Sequence, residues 1–278
     1  MQGACDAHVH VIGPAARYPM VAERHYTPGP ASVESLQAHL HLNGLQRAVI
    51  IQPSVYGTDN TCLLDALAQM QGQARGVAVL SEAVTPAQLR VLDAQGVRGV
   101  RLNLESAGHD NAAALQAGLQ DWAARIAGLG WHLQVYAPLS VVAACCETLR
   151  DLPVPVVLDH FALWPDAACA LASCQSTLRL LEAGRIHIKL SASYRVPLSG
   201  DTDVNAVAQR LLALRPDRML WASDWPHTNR EPGRGPHDVS AYRPIQAARL
   251  VQERESWLGQ GALARQVLVD NPQQLYRF

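Results

Sequence analysis

The sequence predicts a (β/α)8 TIM barrel, one domain over residues 1–278 with a C-terminal helical extension. Three observations predict it. Eight short runs rich in Val, Ile and Leu recur along the whole chain. They are near-continuously apolar rather than alternating, as in parallel strands covered on both faces. Segments of helical period, with recognisable starts and stops, lie between them.

The strand-like runs are Ala4–His10, Arg47–Pro53, Arg75–Ser81, Gly99–Leu104, Trp131–Tyr136, Val154–His160, Arg185–Ser191 and Arg218–Asp224. Asp59-Asn60 opens a helix that runs through Leu63, Leu64 and Leu67 to Met70. Thr85-Pro86 opens another, with Thr as N-cap and Pro in the first turn. Ala112–Leu129 is a third, stopped by Gly130. Two long excursions, Val11–Pro30 and His227–Tyr242, follow the first and eighth strands. Both leave the C-terminal ends of strands, where barrels build their active sites. The helical extension starts after about Ala241. An open doubly wound sheet is the alternative, but no glycine-rich phosphate loop follows any strand.

The length suits one large barrel, and 49% hydrophobic residues supply its core. A net charge of −1 gives no field for nucleic acid or a membrane surface, so neither partner is expected. No apolar run reaches the roughly 18 residues of a membrane span. Met1–Asp6 has neither a basic nor an apolar leader region, so a cytoplasmic location is expected. Cys5, Cys62, Cys145, Cys146, Cys169 and Cys174 form no CxxC pair and read as buried thiols in a reducing compartment. Nothing in the sequence sets the oligomeric state.

Three segments carry chemistry. Asp6-Ala7-His8-Val9-His10 ends the first strand, and side chains two apart share a face. Trp221-Ala222-Ser223-Asp224-Trp225-Pro226-His227 puts a carboxylate at the tip of the eighth; a plain helix or turn cap is its other reading. Val157-Leu158-Asp159-His160-Phe161 closes the sixth with a histidine, which taken alone also reads as a core residue. Together they set His8, His10, His160 and Asp224 on tips one, six and eight. In a closed barrel, strands eight and one are neighbours.

This pattern resembles the amidohydrolase superfamily, in its branch of 2-pyrone-4,6-dicarboxylate lactonases, sugar-dicarboxylate lactonases and isomerases, and sulfomuconolactone hydrolases. The likeness runs nearly end to end. It takes in Asp6–His10 with Gly13-Pro14-Ala15, and Gln52-Pro53-Ser54-Val55-Tyr56-Gly57-Thr58-Asp59-Asn60. It continues through Gly96-Val97-Arg98-Gly99-Val100-Arg101-Leu102-Asn103, Asp159-His160, Lys189-Leu190-Ser191 and Ser223–His227. The resemblance implies hydrolysis of a small anionic lactone in aromatic or sugar-acid catabolism. It implies Asp224 as general base, with His8, His10 and His160 polarising the carbonyl. An ionised carboxylate can take a proton from water, so hydrolysis is expected to fall in acid, by about pH 4, as Asp224 protonates. Imidazole donors suit the developing oxyanion.

Many amidohydrolases hold a divalent metal with the first-strand histidines, a fifth-strand histidine and the eighth-strand aspartate. Here the fifth-strand tip is Tyr136. His132 lies at the strand start, about 13 Å away. No cofactor is therefore expected, although His8, His10 and Asp224 form a three-ligand set that leaves zinc open. For substrate, Arg101 and Arg98 flank the fourth strand; being three apart, they cannot share a face. Arg195 follows the seventh strand at a family position for carboxylate binding. Tyr136, Tyr26, Ser54 and Thr58 are candidate neutral donors. Where relatives continue with an arginine after the strand-six histidine, this chain has Phe161-Ala162-Leu163-Trp164. That segment is either an apolar wall of the substrate cavity or ordinary packing. A zinc-dependent decarboxylase or hydratase of the same superfamily, and a non-catalytic anion-binding barrel, are the competing readings.

Overall fold

The computed structural model describes residues 1–104, 111–165, 172–197 and 203–278. Its eight main strands are β1 Cys5–Val9, β2 Arg47–Ile51, β3 Ala74–Ala78, β4 Val97–Asn103, β5 His132–Tyr136, β6 Val156–Leu158, β7 Ile186–Ser191 and β8 Met219–Ala222. Each pairs in parallel with the next. These are the eight apolar runs of the sequence, with ends shifted by up to three residues; two of them start earlier than predicted, at Ala74 and Val97.

Closure between β8 and β1 occurs at the tips. The Asp224 amide donates to the His8 carbonyl at 3.0 Å, and the His10 amide donates to the Trp225 carbonyl at 2.8 Å. The bonds that close the barrel therefore interleave Asp224 with the two histidines. The β1–β2 register also shifts between Asp6 and Val9.

Helices cover the strands in order: α1 Val33–Leu42, α2 Thr61–Gln69, α3 Pro86–Ala94, α4 Ala112–Ile126, α5 Leu139–Ala144, α6 Cys146–Asp151, α7 Ala172–Glu182 and α8 Val204–Leu214. The α2, α3 and α4 starts lie where the sequence signals them. Thr85 and Gln88 form a reciprocal capping box on α3. Asn60 is the residue before α2, where the Thr61 amide donates to Asp59 Oδ1 at 3.0 Å, and Gly130 takes the left-handed backbone (φ 64°) after α4. The extension is helical as expected, with α9 Ala247–Leu258, α10 Ala262–Arg265 and α11 Asn271–Tyr276.

Tyr276 from α11 is fully buried and packs with Cys5, Ala7, Val49, Ile51, Val77, Val157 and Leu220 inside the barrel. It plugs the N-terminal end of the strands, a burial that stabilises by roughly 1.5–3 kcal/mol. Cys5, Cys62, Cys145 and Cys146 are thiols, whereas Cys174 is disulfide-bonded, which corrects the all-thiol expectation there. Cys169 lies outside the described residues. Among them, no helix is long and apolar enough to cross a membrane.

Candidate active site

A cavity of about 220 Å³ opens at the C-terminal ends of the strands. Its lining includes His10, Tyr26, Ser54, Arg101, Tyr136, His160, Arg195 and Asp224, with His25, Thr228, Asn229 and Arg230 toward the mouth. Asp224 is the one acid of this lining among the described residues.

Asp224 sits just past β8 with a left-handed backbone (φ 63°) and is buried. That conformation costs about 1–2 kcal/mol in a non-glycine residue; the barrel-closing bonds impose it. Its Oδ1 lies 3.7 Å from the Nε2 of His8, 3.7 Å from that of His10 and 3.9 Å from that of His160. Its Oδ2 accepts from Arg195 Nε at 2.6 Å and from the Tyr194 hydroxyl at 2.8 Å. Burial alone raises the carboxyl, but Arg195 and the histidines outweigh it and hold it well below the usual range.

The histidines are fixed from behind. His10 Nδ1 faces the Ile51 carbonyl at 2.8 Å. A carbonyl only accepts, so Nδ1 carries the proton and the neutral ring offers a lone pair at Nε2. His160 Nδ1 is 2.9 Å from Ser191 Oγ, and its ring stands edge-on to Tyr136. Burial pushes His160 down to about 4, so it is neutral at pH 7.

Beneath His8 lies a charged layer the sequence reading did not assign. Lys189, wholly buried, is 3.2 Å from Asp159 Oδ1 and donates to Gln134 Oε1 at 2.7 Å. Gln134 Nε2 donates to Asp159 Oδ2 at 3.0 Å. Asp159 is held well below the usual range because Lys189 and His8 outweigh burial, and burial lowers Lys189 to about 8. The available signal was period two: Gln134 precedes Tyr136 by two, and Lys189 precedes Ser191 by two, inside otherwise apolar strands.

The other expected residues divide. Arg101, Tyr136, Tyr26 and Ser54 line the cavity. Arg101 is buried, and its Nε has no partner. Arg195 also lines it, but its guanidinium is engaged by Asp224 and by the carbonyl and hydroxyl of Thr228. Thr58 is exposed and outside the lining; its carbonyl accepts from Asn60. Arg98 is corrected: it sits at the start of β4, donating to Asp93 Oδ1 at 3.0 Å and to the Asp93 carbonyl. Three residues along a strand put it at the opposite end and face from Arg101.

None of Phe161, Ala162, Leu163 and Trp164 is in the cavity lining. From His160 to Leu163 the chain makes a left-handed turn, with φ between 49° and 56°. It aims His160 inward and carries Phe161 onto Trp257, ring centroids 5.4 Å apart. Of the two readings of this segment, packing is the one the structure has.

The family habit of binding metal can be tested on the donor atoms. His8 Nε2 and His10 Nε2 are 3.3 Å apart, with Asp224 Oδ1 3.7 Å from each. Tetrahedral zinc with bonds of about 2.0–2.1 Å separates its ligands by about 3.3–3.4 Å. By distance the three residues fit a divalent cation, which would be a Lewis acid for a carbonyl and for water.

The barrel mouth holds a buried carboxylate amid imidazoles and guanidiniums, and the chain belongs to the amidohydrolase family. The profile of that family matches residues 5–278. The 2-pyrone-4,6-dicarboxylate hydrolase of Comamonas testosteroni is 34% identical over 99% of this chain and 90% of its own length. A 4-sulfomuconolactone hydrolase of Rhizobium radiobacter is 31% identical over 99% and 90%. A solved Acinetobacter baumannii structure, named a probable 2-pyrone-4,6-dicarboxylic acid hydrolase with citric acid bound, superposes with a TM-score of 0.82. It is 27% identical, and all of both chains is covered.

Proposed function

We propose that this enzyme opens a small anionic lactone with water. The observation that carries the reading is the cavity's charge pattern: a buried carboxylate held by Arg195 and facing imidazoles, with Arg101 and Arg230 in the same lining. A compact space ringed by guanidiniums suits carboxylate-bearing ligands. The two curated relatives are named for anionic lactones, and the Acinetobacter relative holds citrate, which supports the same class.

The chemistry follows from the donors and acceptors. A water beside Asp224 Oδ1 donates to that carboxylate, which orients its oxygen toward the lactone carbon. Asp224 removes the proton as the C–O bond forms. His160, with Ser191 donating to its Nδ1, presents Nε2–H to the oxyanion, and Arg101 adds charge nearby. His10, whose Nδ1 proton goes to the Ile51 carbonyl, offers an acceptor at Nε2 rather than a carbonyl polariser. Collapse breaks the ring C–O bond, and protonated Asp224 returns its proton to the leaving oxygen.

The test is spectrophotometric ring opening across carboxylated lactones and their methyl esters. Turnover of the acids with loss of at least tenfold in kcat/KM for the esters is expected; no ring opening of any carboxylated lactone defeats the reading. Metal analysis of enzyme purified without added metal separates the unassisted reaction from a zinc-assisted one.

A further inference from the structure

A buried ammonium must place three hydrogens. The Lys189 nitrogen has three acceptors within reach: Gln134 Oε1 at 2.7 Å, Asp159 Oδ1 at 3.2 Å and His8 Nδ1 at 3.2 Å. Asp159 Oδ1 is itself 3.2 Å from His8 Nδ1. Two proton arrangements share these positions. If His8 Nδ1 carries a hydrogen, it donates to Asp159, and one ammonium hydrogen then points at an N–H. If Nδ1 is bare, it accepts from Lys189, and all three ammonium hydrogens are used. Asp159 stays satisfied in that case, since Oδ1 accepts from Lys189 and Oδ2 from Gln134. A buried donor left unmet costs about 1–3 kcal/mol, and more when charged, so the second arrangement wins by about tenfold or more.

The consequence appears on the other side of the ring. With Nδ1 bare, neutral His8 carries its proton on Nε2, 3.3 Å from His10 Nε2 and 3.7 Å from Asp224 Oδ1. His10 keeps its own proton on Nδ1 for the Ile51 carbonyl. An N–H therefore meets a lone pair. We propose that Lys189 is a positioning residue that locks His8 as its Nε2–H tautomer, and so makes the His8–His10–Asp224 triangle a hydrogen-bonded, proton-donating site rather than a metal site. A histidine ligand needs its lone pair at the metal and usually donates its other N–H to a carboxylate. Asp159 is placed to be that carboxylate, and Lys189 stands in the way. The same three donor positions thus serve two chemistries, and a residue on β7, out of contact with the cavity, selects between them. This inference goes beyond the lactone reading and does not rest on it.

The experiment reads proton position and metal affinity, not turnover. Protein with 15N-labelled histidine is examined by long-range proton–nitrogen correlation at pH 7, with His8 assigned from its loss in His8→Gln. Wild type is expected to show His8 protonated at Nε2, and Lys189→Met to show it protonated at Nδ1. Calorimetric titration with zinc is expected to give binding on the order of 10–100-fold tighter in Lys189→Met than in wild type. A wild-type His8 protonated at Nδ1 overturns the proposal and needs no variant, so a poorly folding Lys189→Met does not shelter it. Equal zinc affinity in a folded Lys189→Met overturns it as well.

Discussion

The two ends of the barrel use the same residue types for opposite purposes. On β4, Arg98 stands at the bottom and Arg101 at the top; on β5, His132 stands at the bottom and Tyr136 at the top. At the bottom, the charged groups pair with one another and, among the described residues, no cavity opens beside them, although Arg98 Nε and both ring nitrogens of His132 are buried without a partner. Asp93 takes Arg98 at 3.0 Å, Arg277 at 2.6 Å and the Trp131 indole at 2.8 Å. His132 is buried against Gly99 and stands edge-on to Tyr276. At the top, Arg101 donates to the Gln52 carbonyl at 3.3 Å and lies 3.7 Å from Asp159, yet it borders open space. The difference comes from what covers each end. The C-terminal helices plug the bottom, while the long excursions after β1 and β8 leave a cavity above the tips. Residue type alone does not report function; its place along the strand does.

The sharpest way to break this comparison is to neutralise one aspartate at each end. Asp224→Asn removes the base and is expected to lower kcat by about 10²–10⁴-fold with the fold intact by circular dichroism. Asp93→Asn is expected to leave kcat unchanged and to cost about 0.2–1 kcal/mol of stability, since its ion pairs are partly exposed. Equal kinetic damage from both would abolish the distinction.

The arginines of β4 should part in the same way. Loss of a charge-assisted contact of about 1.5–3 kcal/mol makes Arg101→Met lower kcat/KM for a carboxylated lactone by about 10–100-fold. Arg98→Met should leave it within twofold in the same assay, which steady-state kinetics on the matched pair will show.

Acid should act on stability before it acts on the base. Asp224 has a depressed folded pKa, so its contribution is present above the unfolded value and lost only as pH falls through the lower folded one. The acid limb of kcat/KM from Asp224 therefore lies below the ordinary carboxylate range, and a rate level down to about pH 4 is now the expected result. The Arg195 pair moves the expected fall to lower pH than an unperturbed carboxylate would give. Histidine runs the other way. Burial lowers His132 to about 3, so the fold prefers it neutral, and stability drops as pH falls below its unfolded value of 6.5. His132→Leu is expected to lose on the order of 2 kcal/mol less than wild type between pH 7 and pH 5, measured by urea melts.

The smallest effect is expected where the chain departs from its relatives. Leu163 is buried outside the cavity lining, so Leu163→Arg should leave the ratio of kcat/KM for mono- and dicarboxylated lactones unchanged. A shift toward the dicarboxylate would place the segment at the substrate after all.

The sequence by itself determined the architecture and half of the site. The eight strands, the Thr85 and Asn60 helix starts, the Gly130 stop and the tyrosine at the β5 tip were legible, because caps, turns and apolar periodicity are set by residues a few positions apart. His8, His10, His160 and Asp224 were legible because strand tips gather at one mouth in any closed barrel. Tertiary structure alone decided the rest. Lys189 and Asp159 meet His8 across 181 and 151 residues. Arg195 is drawn onto Asp224 rather than left for substrate, and Phe161 is turned onto Trp257 by four left-handed residues. Each of these is a competition between partners that burial forces together. Which hydrogen bond or ion pair wins depends on ångström-scale distances in a low-dielectric interior, and local sequence carries no record of those distances.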